Sequence, residues 1–349
     1  MDDRTCSGRW QKGLLMAAIA LGMTFGYSWA VFAATKAEFT MRYGGYLAGQ
    51  DPTNVAMMRM AELVEKKTGG QAKIDVFTDG KLGNEREVTE SVRLGNVELV
   101  STLGTGLAQY VPEVGVLELP FTSTDSRVAT KMFLDVMPDV AKLSVLKGFR
   151  PLTAWDIGVR GILTKKPVRK LEDLQGMKIR GPAPLYLGTL KALGANPVFF
   201  AWTDIYMALQ TGAVDGMEAS PQMIYPSKFH EVGKYFTVSR HIDPGYYLLI
   251  NERYWQKLPA DIQKAVKEAA DEAISYIWEN GEKIWQEHAE KMKKEGVEFI
   301  ELQDYPKWVK AVEEFRIDYA KKLGPEAPPL YEKVKQSVAK WEVHYGIKR

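Results

Sequence analysis

Two arginines have the residue type and the setting to do chemistry. Arg180 closes the run Met177-Lys178-Ile179-Arg180 and is followed at once by Gly181-Pro182-Ala183-Pro184. Arg160 follows Trp155-Asp156-Ile157-Gly158-Val159 in an apolar stretch. A guanidinium is a planar fork that meets a carboxylate through two parallel hydrogen bonds. An arginine at the carboxyl end of a strand, beside a tight loop, points into the crevice where α/β sheets bind ligands. The chemistry expected is capture of a carboxylate. Taken alone, either arginine reads more readily as a surface cation paired to an acidic neighbour, Arg160 more so than Arg180, and type and spacing leave both readings open.

Catalytic patterns are sparse. The four histidines are His230, His241, His288 and His344, and none has a second histidine four residues away, so no zincin site is present. The chain has no G-x-S-x-G elbow and no phosphate-binding P-loop, and Gly104-Thr105-Gly106 lacks the third glycine of a dinucleotide fingerprint. A dispersed Ser/His/Asp triad stays open, because spatial neighbours need not be sequence neighbours. No cofactor and no metal site is expected.

The elements that must hold the arginines alternate. Residues 38–43 read as a strand, 52–67 as a helix behind the N-cap Asp51, 72–77 as a strand, 85–94 as a helix stopped by Gly95, and 97–103 as a strand running into a Gly104–Gly106 loop. The stretch 154–164 reads as one long β-rich segment, 176–180 as a strand, 185–193 as a helix, 197–200 as a strand, 204–211 as a helix and 212–218 as a strand. This is the rhythm of α/β units. Residues 261–294 contain no proline and carry an apolar side at helical spacing, so a long domain-bridging helix is expected, with a break at Gly281 as the alternative.

Several other residues sit where a ligand could reach them. Trp202, Trp155 and Tyr46 are each either a cleft wall or core. Thr105 is either a hydroxyl at a strand end or part of a plain turn. Glu218 either orients an arginine or caps a helix.

The stretch Leu193-Gly194-Ala195-Asn196-Pro197, then Asp204-Ile205-Tyr206-Met207-Ala208-Leu209-Gln210-Thr211-Gly212, then Val214-Asp215-Gly216-Met217-Glu218 follows Lys178-Ile179-Arg180 in order. This resembles the signature of the extracytoplasmic solute-binding proteins of tripartite ATP-independent periplasmic (TRAP) transporters, the DctP-like family. Leu82-Gly83-Asn84-Glu85-Arg86, Leu119-Pro120-Phe121, Lys234-Tyr235 and Leu258-Pro259 extend the resemblance along nearly the whole chain after the leader. The resemblance implies an α/β, two-domain periplasmic binding protein fold with a central cleft and a long bridging helix. It implies an organic acid as ligand, a membrane permease driven by an ion gradient as partner, and no enzymatic activity. It assigns Arg180 to the ligand carboxylate, Arg160 to an assisting role and Trp202 to the cleft wall. Many family members have Asn directly after the Glu of Asp-Gly-x-Glu. Here Ala219 stands there, followed by Ser220, so a polar ligand contact is missing or moved. With Trp155, Trp202 and Tyr46, that change admits an apolar or aromatic portion on the acid. A secreted hydrolase on a similar cleft, and a receptor that feeds a sensor, are the alternatives.

Composition fits this reading. The chain has 349 residues, 46% hydrophobic and 26% charged, with a formal net charge of +2. Those are globular values, and the charge is too balanced for a nucleic-acid binder. Arg4, Arg9 and Lys12 precede the apolar run Gly13–Met23, and small residues follow at Ala30, Ala33 and Ala34. This is the pattern of a cleavable signal peptide over 1–34, pointing to the periplasm, with an uncleaved anchor as the alternative. The one cysteine, Cys6, falls inside it, so disulfides, thiolate metal sites and cysteine nucleophiles are excluded from the mature chain. The expected domains are 35–157 plus 246–285, and 158–245 plus 286–349.

Overall fold

The structure is a computed structural model that describes residues 37–123 and 125–347. The signal peptide expected at 1–34, with Cys6, lies outside the described residues.

The chain opens with β1 (Phe39–Gly44), α1 (Pro52–Lys67), β2 (Ala72–Phe77), α2 (Glu85–Leu94), β3 (Leu99–Leu103), the single turn α3 (Gly104–Leu107), α4 (Ser126–Val145) and β4 (Phe149–Asp156). It continues with β5 (Gly161–Thr164), β6 (Lys178–Gly181), α5 (Pro184–Ala192), β7 (Asn196–Phe199), α6 (Ile205–Thr211), β8 (Gly216–Ala219), α7 (Pro221–Ile224) and β9 (Tyr235–Val238). Last come β10 (Gly245–Asn251), α8 (Glu252–Trp255), α9 (Ala260–Lys294), β11 (Glu298–Glu301), α10 (Tyr305–Ala311), α11 (Glu313–Lys321) and α12 (Ala327–Tyr345).

Local chemistry accounts for the boundaries. Asp51 accepts from the Thr53 N–H and Pro52 fills the first helical position of α1. Asn84 and Glu87 form a reciprocal capping box on α2, and Gly95 ends it in the left-handed region at φ 84°.

The strands form two mixed sheets. The first has the order β2-β1-β3-β10-β4, with β1 parallel to β2 and β3, and β10 antiparallel to both of its neighbours. The second has the order β11-β9-β5-β8-β6-β7, with β6 parallel to β7 and β8. Strands β3, β5, β8 and β10 are buried along their whole length, as expected where helices cover both faces.

The chain passes between the sheets in three places: 157–160 from β4 to β5, 239–244 from β9 to β10, and through α9 to β11. The stretch 154–164 is therefore two strands in different sheets rather than one. Asp156 accepts from the Gly158 N–H at 2.9 Å, and Gly158 takes φ 85°, which turns the chain out of the first sheet. The expected Gly104–Gly106 loop is instead the helical turn α3, and the strand expected from Gly212 begins at Gly216.

Helix α9 runs unbroken through Gly281 for 35 residues. At about 1.5 Å per residue it spans roughly 50 Å. Its indoles reach the chain where it leaves the first sheet. Trp278 Nε1 donates to the Ala154 carbonyl and Trp285 Nε1 to the Val159 carbonyl, each at 3.0 Å. None of the helices in the described residues is long and apolar enough to cross a membrane.

Candidate functional site

Arg180 is the third residue of β6, which runs parallel between β7 and β8. Its side chain therefore emerges at the carboxyl end of parallel strands. Extended backbone at Ala183 and Pro184 at the start of α5 carry the chain sharply away. The guanidinium is 2% exposed. Nε donates to the Phe200 carbonyl at 2.9 Å, whereas Nη1 is buried without a partner. The group lies over the Trp202 ring, 5.8 Å from its centroid. Burial pulls the Arg180 pKa down to about 10, with Arg160 pulling the same way and Glu218 opposing. Arg180 is thus a protonated cation held out of water. Beside it lies a cavity of about 330 Å³. Pro182, Leu187, Phe199 and Trp202 give it an apolar wall, and Glu85 lines it opposite.

Arg160 is placed differently. It is 1% exposed, and it lies in the 157–160 crossing rather than inside a strand. Its Nε donates to Glu218 Oε2, and Nη2 donates to Glu218 Oε1 at 3.0 Å and to the Glu218 carbonyl at 2.7 Å. The guanidinium also sits over the Tyr186 ring at 5.0 Å. Glu218 is opposite Ile162 in the β5–β8 ladder, so strand pairing delivers the carboxylate. Burial alone would lower the Arg160 pKa, but Glu218 outweighs it and holds the cation protonated.

Trp155 and Tyr46 meet through Tyr246. The Trp155 ring is edge-on to Tyr246 at 5.5 Å, and the Tyr246 hydroxyl donates to that of Tyr46. Trp155 is fully buried and its Nε1 has no partner. Thr105 is buried on α3, and its hydroxyl is likewise unpartnered. Ala219 ends β8 against Gly161, fully buried. Of the eight residues singled out in the sequence, Arg180 and Trp202 line the cavity, and Arg160 and Glu218 form the ion pair behind it.

Three further residues had no usable sequence signal. Glu118 is buried with its Oε2 accepting from the Tyr186 hydroxyl at 2.9 Å, and burial pushes its pKa up to about 7. His241 is buried with Nε2 3.8 Å from Glu218 Oε2. Burial first, then Arg160, lowers its pKa to about 3, so the imidazole is neutral. Glu85 Oε1 accepts from the Thr102 hydroxyl at 2.8 Å and from the Leu103 N–H at 2.9 Å, which fixes the carboxylate against the cavity. No cluster of three or more metal-ligating side chains occurs among the described residues.

A buried arginine beside a half-open cavity is the arrangement of an anion receptor. Comparison with known proteins agrees. The family model described as "Bacterial extracellular solute-binding protein, family 7" (DctP) matches residues 43–322. The chain belongs to this family. It is a family of binding proteins rather than enzymes. The C4-dicarboxylate-binding periplasmic protein DctP of Rhodobacter capsulatus is 29% identical over 330 residues, covering 90% of this chain and 95% of that one. The sugar acid binding protein DctPAm of Advenella mimigardefordensis, solved with galactonate, superposes with a TM-score of 0.81 at 27% identity, covering 85% of this chain and 98% of that one. A TRAP periplasmic solute binding protein of Desulfovibrio salexigens, solved with orotic acid, gives a TM-score of 0.82 at 25% identity, covering 86% and 99%. The DctP-family fold, α/β with two sheets and a long helix, is thus the one the family resemblance implied, and the alternating pattern had pointed to its α/β units.

Proposed function

We propose that this DctP-family chain is the periplasmic receptor of a TRAP transporter, and that it captures an organic acid through Arg180 and hands it to an ion-gradient-driven permease. The observation that carries this reading is the Arg180 guanidinium, buried at the cavity with Nη1 unpartnered. A carboxylate would supply both the missing acceptor and the missing counter-charge. Trp202 and Phe199 offer a flat apolar face beside it, which suits a ring or the C–H face of a hydroxylated chain. Arg160, neutralised by Glu218, backs the site as a buried ion pair. Trp155, Tyr46, Thr105 and Ala219 are buried outside the lining of this cavity, and on this reading they would meet only a ligand that reaches deeper into the fold. The leader-like residues 1–34 support export, and the relatives named above support the acid class.

The test is thermal unfolding of the purified protein against C4-dicarboxylates, aldonic and uronic acids, and orotate. A ligand present at about 100 times its dissociation constant should stabilise the fold by about 2.7 kcal/mol. A protein that ignored every acid and responded to neutral sugars would sink the reading.

On the same reading the two lobes, 35–157 plus 246–285 and 158–245 plus 286–349, close around the acid by rotation at the crossings. X-ray scattering should then give a smaller radius of gyration at saturating ligand. An unchanged radius would refute closure while leaving capture intact.

A further inference from the structure

A cavity of about 320 Å³ lies at the other end of the first sheet and shares no residue with the one beside Arg180. Three segments build it: the last turn of α2 with Arg93, the turn Leu146-Lys147-Gly148 between α4 and β4, and the passage from β10 into α8 with Asn251 and Arg253. Hydrogen bonds tie the segments together. Asn251 Nδ2 donates to the Val92 carbonyl at 2.7 Å, and the Glu252 N–H donates to the Gly148 carbonyl at 2.9 Å. The Tyr110 ring, 5.3 Å from that of Phe149, forms one side. Strand β10 sets the separation from the acid site. Its Tyr246 pairs with Leu103, whose N–H donates to Glu85, and Asn251 is its far end. At about 3.4 Å per residue, those two ends are roughly 17 Å apart.

The charged side chains on the wall are Arg93, Lys147 and Arg253, and no carboxylate lines it. Arg93 is neutralised by Glu90, through bonds of 2.6 and 2.8 Å. Arg150, on the adjoining strand, is neutralised by Glu252 through two bonds of 2.7 Å. Lys147 and Arg253 are exposed, and neither has a carboxylate within ion-pair distance among the described residues. The local balance is therefore two free positive charges facing one concavity. They repel each other unless an anion joins them.

The rim is apolar as well as basic. Leu146, on the cavity wall, is 81% exposed, and Leu94, next to Arg93, is 55% exposed. A single exposed leucine is ordinary. Two leucines beside two unpaired cations are the combination that suits an anionic bilayer, where cations meet lipid phosphates and aliphatic side chains enter the headgroup layer. We propose that this end of the first sheet docks on an anionic lipid surface, with a headgroup phosphate seated between Lys147 and Arg253 and with Leu146 and Leu94 inserted beside it.

Two cations and two leucines make a weak, reversible contact rather than an anchor. Docking would keep the protein close to the bilayer while leaving the cavity beside Arg180 uncovered, because the two lie at opposite ends of β10. The proposal does not depend on which ligand Arg180 takes.

The experiment is co-sedimentation of the purified protein with vesicles of phosphatidylglycerol mixed with phosphatidylcholine, and with vesicles of phosphatidylcholine alone, between about 0.05 M and about 0.5 M salt. Binding should require phosphatidylglycerol and weaken as salt rises. Lys147→Gln and Arg253→Gln should each lower partitioning about fivefold. Leu146→Ser should lower it too, but with the parent's salt dependence. All three side chains are exposed, so each variant should melt with the parent. Any other part of the chain that touches vesicles contributes equally to parent and variants, so the difference reads this surface. Absence of binding to the anionic vesicles at low salt, or unchanged binding in the Lys147→Gln/Arg253→Gln double variant, overturns the proposal. Inorganic phosphate and glycerol phosphate form the control arm. Stabilisation by either one, without vesicle binding, would make the pocket a site for a soluble anion and would equally overturn docking.

Discussion

Arg180→Ala should weaken acid binding by at least about tenfold without lowering the stability of the unliganded protein. Both halves follow from the same geometry. The guanidinium has one protein partner, the Phe200 carbonyl, and no carboxylate within ion-pair distance among the described residues. A hydrogen bond to a charged group contributes about 1.5–3 kcal/mol, and removing one partner of a desolvated pair costs more. Since about 1.4 kcal/mol is a decade in affinity, tenfold is the lower bound. In the protein without ligand, Arg180 is a buried cation whose acidic neighbours, Glu218 and Glu85, do not hydrogen-bond to it, and that burial is itself unfavourable. Deleting it should leave the melting temperature of the ligand-free protein equal or higher. Arg180→Lys should bind nearly as poorly as alanine, because an ammonium cannot reproduce the two-bond fork. Calorimetric titration with the acid that gives the largest thermal shift measures the first effect. Parent-like affinity in Arg180→Lys would remove the bidentate role.

Glu218→Ala should be the most destabilising single change near the site. It would strand Arg160 as a buried charge with its main counter-ion gone. Breaking one side of a buried pair costs roughly 3–5 kcal/mol, a large share of a stability of about 5–15 kcal/mol. Arg160→Ala should cost a similar amount, because it leaves Glu218 buried and unpaired. Replacing both together by Met and Leu should recover most of the loss, since apolar side chains of similar volume replace buried pairs well. Denaturant unfolding of the two single variants and the double variant provides the comparison. Additive losses in the double variant would show that the pair is not the unit of stability.

The contrast between the two arginines shows where sequence reading stops. Both have the right type, but the sequence places Arg180 at a strand end and Arg160 inside the 154–164 segment, and it names no partner for either. What separates them is the partner across the β5–β8 ladder. Glu218 lies 58 positions from Arg160, and only the pairing of Gly161–Thr164 with Gly216–Ala219 brings it there. The α/β rhythm, the capped helices and the long α9 were legible, because caps, glycine stops and apolar periodicity act within a few residues. The division of 154–164 between two sheets was not, because it depends on a turn held by the Asp156 side chain. Glu118 and His241 were invisible for the same reason, since their partners come from distant strands. Glu85 looked like the first residue of a helix and nothing more.

The three crossings also limit the closure proposed above. Two bodies tied at one point have three rotational degrees of freedom. Here the crossings are tied to one another, by Arg160 N–H to Ile242, by Trp285 to Val159 and by Arg240 stacked on Trp285. Helix α9 adds a strut that resists stretching and shear. On the closure proposed above, these ties leave little more than one angle free. A receptor with one angle presents the same two walls to every visitor in the same relative orientation. Its discrimination is then a matter of wall chemistry and of how far that angle can shrink, with little orientational entropy left to lose when a guest arrives.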